Sequence, residues 1–129
     1  MGRLIHFEIH AEDPERAARF YARVLDWKAQ KWEGPVDYWL LTTGPDDQPG
    51  VNGAIALRRG APPLEGEAVN AFVCTADVDD VDSAVEEAQA AGGELAVPRM
   101  AVPGIGWLAY VKDTEGNMLG LMQSDPSAG

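Results

Sequence analysis

Residues 5–12 read Ile5-His6-Phe7-Glu8-Ile9-His10-Ala11-Glu12, and Asp13-Pro14 follows at once. The alternation has period two. Arg3, Ile5, Phe7 and Ile9 fall on one face of a strand, while Leu4, His6, Glu8 and His10 fall on the other. One face is largely apolar and the other is polar and titratable. Asp13 then suits an N-cap, Pro14 the first helical position, and Glu15 the positive end of a helix dipole. Ala17, Phe20, Tyr21, Val24 and Leu25 follow at i, i+3, i+4, i+7 and i+8, which predicts a helix packed along that stripe.

The chain then says nearly the same thing again. Residues 69–76 read Val69-Asn70-Ala71-Phe72-Val73-Cys74-Thr75-Ala76 and lead into Asp77, roughly 64 residues further on. Asp79 or Asp80 begins a second helix with the stripe Val81, Ala84, Val85 and Ala88, closed by Gly92-Gly93. Strand-like runs follow each helix: 27–32, 38–43 and 52–58 in the first half, and 94–98, 106–112 and 118–123 in the second. Gly34-Pro35, the loop 44–50 and the segment 113–117 have turn compositions. The reading is an α+β fold made of two βαβββ modules. One domain spans 1–129, with module 1 at about 3–59, a Pro/Gly linker at 60–68, module 2 at about 69–123 and a loose tail at 124–129. The two modules are expected to pair into a curved mixed sheet around a concave pocket.

Bulk properties exclude several functions. The 129 residues suit one domain, and 46% hydrophobic content suits a packed core. No run approaches the roughly 18 apolar residues of a membrane span, and the N-terminus lacks an apolar signal region. A net charge of −11 argues against nucleic-acid binding, since no cation surplus exists to displace phosphate counterions. The single cysteine, Cys74, permits no internal disulfide, which fits a cytoplasmic location. Cys74 has no basic neighbour in sequence to activate it and reads as an inert, buried thiol.

The order of elements resembles the vicinal oxygen chelate superfamily, which includes glyoxalase I, bleomycin-resistance proteins and extradiol dioxygenases. The resemblance rests on Leu4-Ile5-His6-Phe7-Glu8-Ile9, on Asp13 to Tyr21, on Val24-Leu25-Asp26-Trp27 and on Val111 to Leu121. It covers residues 3–123. It implies a glyoxalase-like fold, a symmetric homodimer, and a His/Glu ligand set drawn from the first and last strand of each module. Such a set holds a divalent ion that chelates neighbouring substrate oxygens. At those positions this chain has His6, Asn70, a residue at or near Gly53, and Gly120. Glycine cannot ligate, and a metal site normally needs three protein ligands. No inherited metal is therefore expected.

An alternative metal site through His6 and Glu8 with a residue from elsewhere stays open, because i and i+2 lie about 6.6 Å apart on a strand. His10, about 13 Å from His6, is too far to join it and reads as a partner for a nearby carboxylate. Without metal, the pocket is expected to be lined by His6, Glu8, Trp39, Asn70, Phe72, Trp107, Gly120 and Met122, with strand parity at Tyr38/Trp39 and Tyr110 open by one residue. Aromatic walls with few polar groups suit a small-molecule pocket. Two readings follow. One is a cofactor-free protein that binds a small aromatic or hydrophobic molecule, as bleomycin-resistance relatives do. The other is an enzyme of lyase, isomerase or dioxygenase type, with His6 and Glu8 as catalytic acid and base or as part of the non-inherited metal site.

Overall fold

The computed structural model describes residues 2–67 and 72–129. Its elements are β1 (Leu4–Ala11), α1 (Pro14–Leu25), β2 (Lys28–Lys31), β3 (Tyr38–Thr42), β4 (Gly53–Leu57), β5 (Phe72–Asp77), α2 (Val81–Ala90), β6 (Glu94–Val102), β7 (Gly106–Lys112) and β8 (Met118–Ser124). This is βαβββ, twice, in an α+β fold. The chain divides into two compact units, His6–Val73 and Met1–Ile5 with Cys74–Gly129. The start of β1 thus belongs with the second unit, where Arg3 O accepts the Asp77 N–H at 2.8 Å.

In the first unit the strands run in the order β2-β3-β4-β1. β1 pairs with β4 in parallel, and β3 pairs antiparallel with both β2 and β4. Asp13 caps α1 by accepting the Arg16 N–H at 3.1 Å. Ile9, Ala11, Leu41 and Ile55 form the core, with Phe7, Ala17, Ala18, Tyr21, Trp27 and Trp39 packed against it. α1 ends at Asp26, whose left-handed φ of 58° turns the chain so that Trp27 stacks on Tyr21 at 5.3 Å. The stripe of α1 differs from its sequence reading. Ala17, Ala18 and Tyr21 face the core, whereas Phe20, Val24 and Leu25 are at least half exposed. The small alanines let the helix sit close, which turns the longer side chains outward.

In the second unit the order is β5-β8-β7-β6. β5 pairs with β8 in parallel, and β7 runs antiparallel to both β8 and β6. Asp80 caps α2 by accepting the Ser83 N–H, and Gln123 Oε1 takes the Val81 N–H at 3.0 Å. Val81, fully buried, anchors a core of Ala76, Ala109, Val111 and Leu121.

Two boundaries depart from expectation. β6 runs on through Pro98 to Val102, with register shifts at 95/97 and 97/100. It is an edge strand, and an edge tolerates a residue without an N–H. The tail is not loose. Asp125 donates its N–H to Ile105 O at 2.9 Å, Gly104 donates to Ala128 O at 3.0 Å, and Ala128 is buried. The expected strand over 69–75 is seen from Phe72 and runs to Asp77; residues 68–71, and with them Asn70, lie outside the described residues. Among the described residues no helix is long and apolar enough to cross a membrane.

Candidate functional site

The face of β1 turned away from α1 carries His6, Glu8 and His10. Pairing places Ala54 beside Glu8 and Ala56 beside His10 on that face. Tyr38 lies opposite Ala56, and Leu40 opposite Ala54, so both share it. There the titratable groups form one chain. Tyr38 Oη donates to Glu8 Oε2 at 3.0 Å. His10 Nε2 meets Glu8 Oε1 at 3.0 Å. His6 Nε2 meets Tyr38 Oη at 2.9 Å. Because the tyrosine proton goes to Glu8, His6 Nε2 must carry the proton it shares with Tyr38. The neutral imidazole then keeps its lone pair on Nδ1.

Burial holds the His6 imidazole below its ordinary value near 6.5, and the Glu8 carboxylate opposes that shift only in part. His6 is therefore neutral at pH 7. Glu8 is well shielded, with its side chain 19% exposed against 32% for His10. Glu8 and His6, neighbours on one strand face, do not meet directly; the Tyr38 hydroxyl stands between them. His10 has the carboxylate partner that the sequence suggested.

Packing also resolves the open strand parity. Tyr38 occupies the titratable face, so Trp39 lies on the other one, against the core beneath α1. Lys31 Nζ sits 5.5 Å above its ring. Trp107 likewise packs against the α2-side core and donates Nε1–H to Asp125 Oδ2 at 3.1 Å. Phe72 stacks on Phe7 at 5.7 Å and so lies on the α1 side. Gly120 pairs with Thr75 and Tyr110, and Met122 with Asp77 and Leu108, along the face of the second unit away from α2. A Cβ at Gly120 would lie 2.6 Å from Thr75 Oγ1 and 3.2 Å from Tyr110 Cε1. Trp32 contacts Tyr38 edge-on at 6.1 Å and is an aromatic neighbour that sequence reasoning missed, although alternation from Tyr38 across β2 and β3 points to it. Cys74 is partly rather than fully buried.

The internal repeat needs realignment. Asp13 and Asp80 both cap helices, which sets the repeat at 67 residues. The counterpart of His6 is then Val73, not Asn70, and that of Glu8 is Thr75. Asp79 and Asp80 compete for the cap in the sequence, and the side-chain bond to the Ser83 N–H selects Asp80. On the last strand of the first module the inherited position is Ala54. Gly53 points the other way, where a Cβ would meet Phe7.

A profile of the glyoxalase/bleomycin resistance protein/dioxygenase superfamily matches residues 3–121. The chain belongs to that superfamily. Comparison with curated proteins finds no match. Solved structures share the fold. A superfamily member from Vibrio splendidus is 21% identical, with 97% of this chain and all of that one covered and a TM-score of 0.63. A hypothetical protein from Bacillus halodurans is 15% identical over 99% and 98% of the two chains, at 0.67. Methylmalonyl-CoA epimerase from Mycobacterium tuberculosis is 17% identical over 95% and 88%, at 0.65.

The superfamily's divalent ion does not fit the donors present. Of the strand positions that would supply ligands, only His6 carries a donor suited to the ion; Val73, Ala54 and Gly120 carry none. Both oxygens of Glu8 already accept hydrogen bonds. Among the described residues no group of three or more His, Cys, Asp or Glu side chains is placed to hold a metal.

Proposed function

We propose that this superfamily member binds a small aromatic or hydrophobic molecule bearing a polar group, without a metal, on the face that carries His6, Tyr38, Glu8 and His10. The observation that supports this is the continuous hydrogen-bonded chain through those four side chains. It orients a neutral imidazole whose Nδ1 accepts a donor from the ligand. Leu40, 43% exposed, and Trp32, 39% exposed, supply apolar contact beside it. The expected walls at Trp39, Trp107 and Phe72 contribute to packing instead, so recognition rests more on the polar chain than on aromatic stacking.

The test is a thermal-shift screen of metal-stripped protein against aromatic ketones, phenols and hydroxy acids. A hit that is lost in His6→Ala and in Tyr38→Phe supports the reading. Stoichiometric zinc, nickel or iron held through His6 in the purified protein overturns it. The reading includes the homodimer that family membership implies; sedimentation showing a monomer at working concentration removes that part.

A second reading is favoured by the tautomer of His6. A neutral imidazole with a fixed Nε2–H and a basic Nδ1 is a general base for a proton next to a carbonyl, with Tyr38 and Glu8 holding the ring. Exchange of such a proton into deuterated water, catalysed by the wild type and not by His6→Ala, distinguishes an enzyme from a binder.

A further inference from the structure

We propose that a second cleft, on the α1 side of the first unit, binds an aromatic carboxylate. The cleft has a volume of about 540 Å³ and lies between α1, the end of β1 and the segment that reaches Pro62. That size falls within the roughly 300–1,000 Å³ of small-molecule sites. It does not include His6, Tyr38 or Glu8; His10, at the end of that polar chain, is the residue the two sites share.

Its chemistry has two parts. Ile9 and Ala11 form a buried apolar floor, and Phe20 with Tyr21 forms an aromatic wall. The two rings meet edge-on at 5.1 Å. Phe20 is 58% exposed, so a ring laid against it removes apolar surface from water that folding leaves wet. The second part is charged. Arg16 and Arg58 line the cleft, and so do Glu12 and Asp13; Asp13 Oδ1 is engaged by the Arg16 N–H as the α1 cap. Arg58 is held in place, its backbone N–H on Ala11 O at 2.9 Å and its Nη2 on His10 O at 2.9 Å. Among the described residues no carboxylate pairs with it. Arg16 has only an exposed contact to Glu12 at 4.0 Å, a geometry that binds weakly. A planar carboxylate matches the forked guanidinium donors, and an attached ring reaches the aromatic wall. In a chain with a net charge of −11, the Arg58 guanidinium, fixed at an apolar cleft and paired with no carboxylate among the described residues, points to an anion with an apolar body.

The experiment uses naphthalene-2-carboxylate and its neutral carboxamide as probes. Amide shifts in a ¹⁵N spectrum locate binding, and titration measures Kd. Saturable shifts at Ala17, Phe20 and Tyr21 are expected, with the carboxylate bound about tenfold more tightly than the carboxamide. Arg16→Gln and Phe20→Ala alter exposed side chains and keep the fold; each weakens binding by about fivefold or more. Equal affinity of acid and amide overturns the proposal, as does no saturation at about 10 mM. Shifts confined to His6, Tyr38 and their neighbours also overturn it, and support the other site instead. The two readings therefore fail separately.

Discussion

Tyr38 and Glu8, thirty residues apart in sequence, share a 3.0 Å hydrogen bond in which the phenol donates to Oε2. That bond connects β3 to β1 across β4, and it decides which nitrogen of His6 carries a proton. The titratable face is thereby one coupled unit rather than three separate side chains.

Removing the Tyr38 hydroxyl tests this coupling. Tyr38→Phe leaves His6 Nε2 and Glu8 Oε2 each without its tyrosine partner in a half-buried setting. The expected cost is about 1–3 kcal/mol in urea unfolding, with the m-value unchanged. A loss below about 0.3 kcal/mol would show that water replaces the hydroxyl without penalty.

Proton linkage gives the second prediction. The folded-state pKa of His6 lies below its unfolded value near 6.5. Around that value the unfolded chain therefore binds more protons, and stability falls as pH falls. The His6 contribution is complete above about pH 6.5 and is lost as pH drops through the lowered folded-state value. Comparing wild type with His6→Gln in urea between pH 7.5 and 5 isolates it. The wild type is expected to lose more stability over that window. Parallel curves would remove the assignment.

Two glycines are held by different neighbours. At Gly53 a Cβ would lie 2.5 Å from the backbone oxygen of Phe7, and backbone cannot step aside. At Gly120 the nearest atom is Thr75 Oγ1, part of a side chain. Gly53→Ala is therefore expected to be costly in any background, on the order of 2 kcal/mol or more. Gly120→Ala is expected to be partly rescued by Thr75→Ala, giving a non-additive double-mutant cycle. Additivity at Gly120/Thr75 would contradict the contact.

The C-terminal segment supplies the last prediction. Asp125 accepts from Trp107 Nε1 and from Ser127, and Ala128 buries its methyl group. Deleting residues 125–129 is expected to lower Tm by at least about 4 °C and to expose Trp107 to a fluorescence quencher. An unchanged Tm would mean that the segment only rests on the surface.

Much of the fold is legible in the chain because its signals are local. Alternation through Ile5–His10 sorts β1 into two faces, and each helix carries an aspartate cap. Family membership follows from the same residues, together with the segment that ends at Leu121. What stayed hidden depends on one-residue shifts. Strand composition alone aligns residues 5–12 with 69–76, a repeat of 64 that sets Asn70 against His6, whereas the caps Asp13 and Asp80 set it at 67. In the sequence Trp39 is as good a pocket candidate as Tyr38, because the two are aromatic neighbours on one strand and strand identity alone does not say which of them faces α1.

The sequence by itself determined two βαβββ modules and a titratable face on β1. Those properties depend on residue type and on periods of two and 3.6. Only the tertiary structure decided that Tyr38 joins His6 to Glu8, that Ala54 rather than Gly53 stands beside Glu8, and that Phe20 is left at the mouth of a cleft with two arginines. Each of those follows from the register of strands and the rotation of a helix. Register and rotation are set by packing between segments far apart in the chain, which no local pattern encodes.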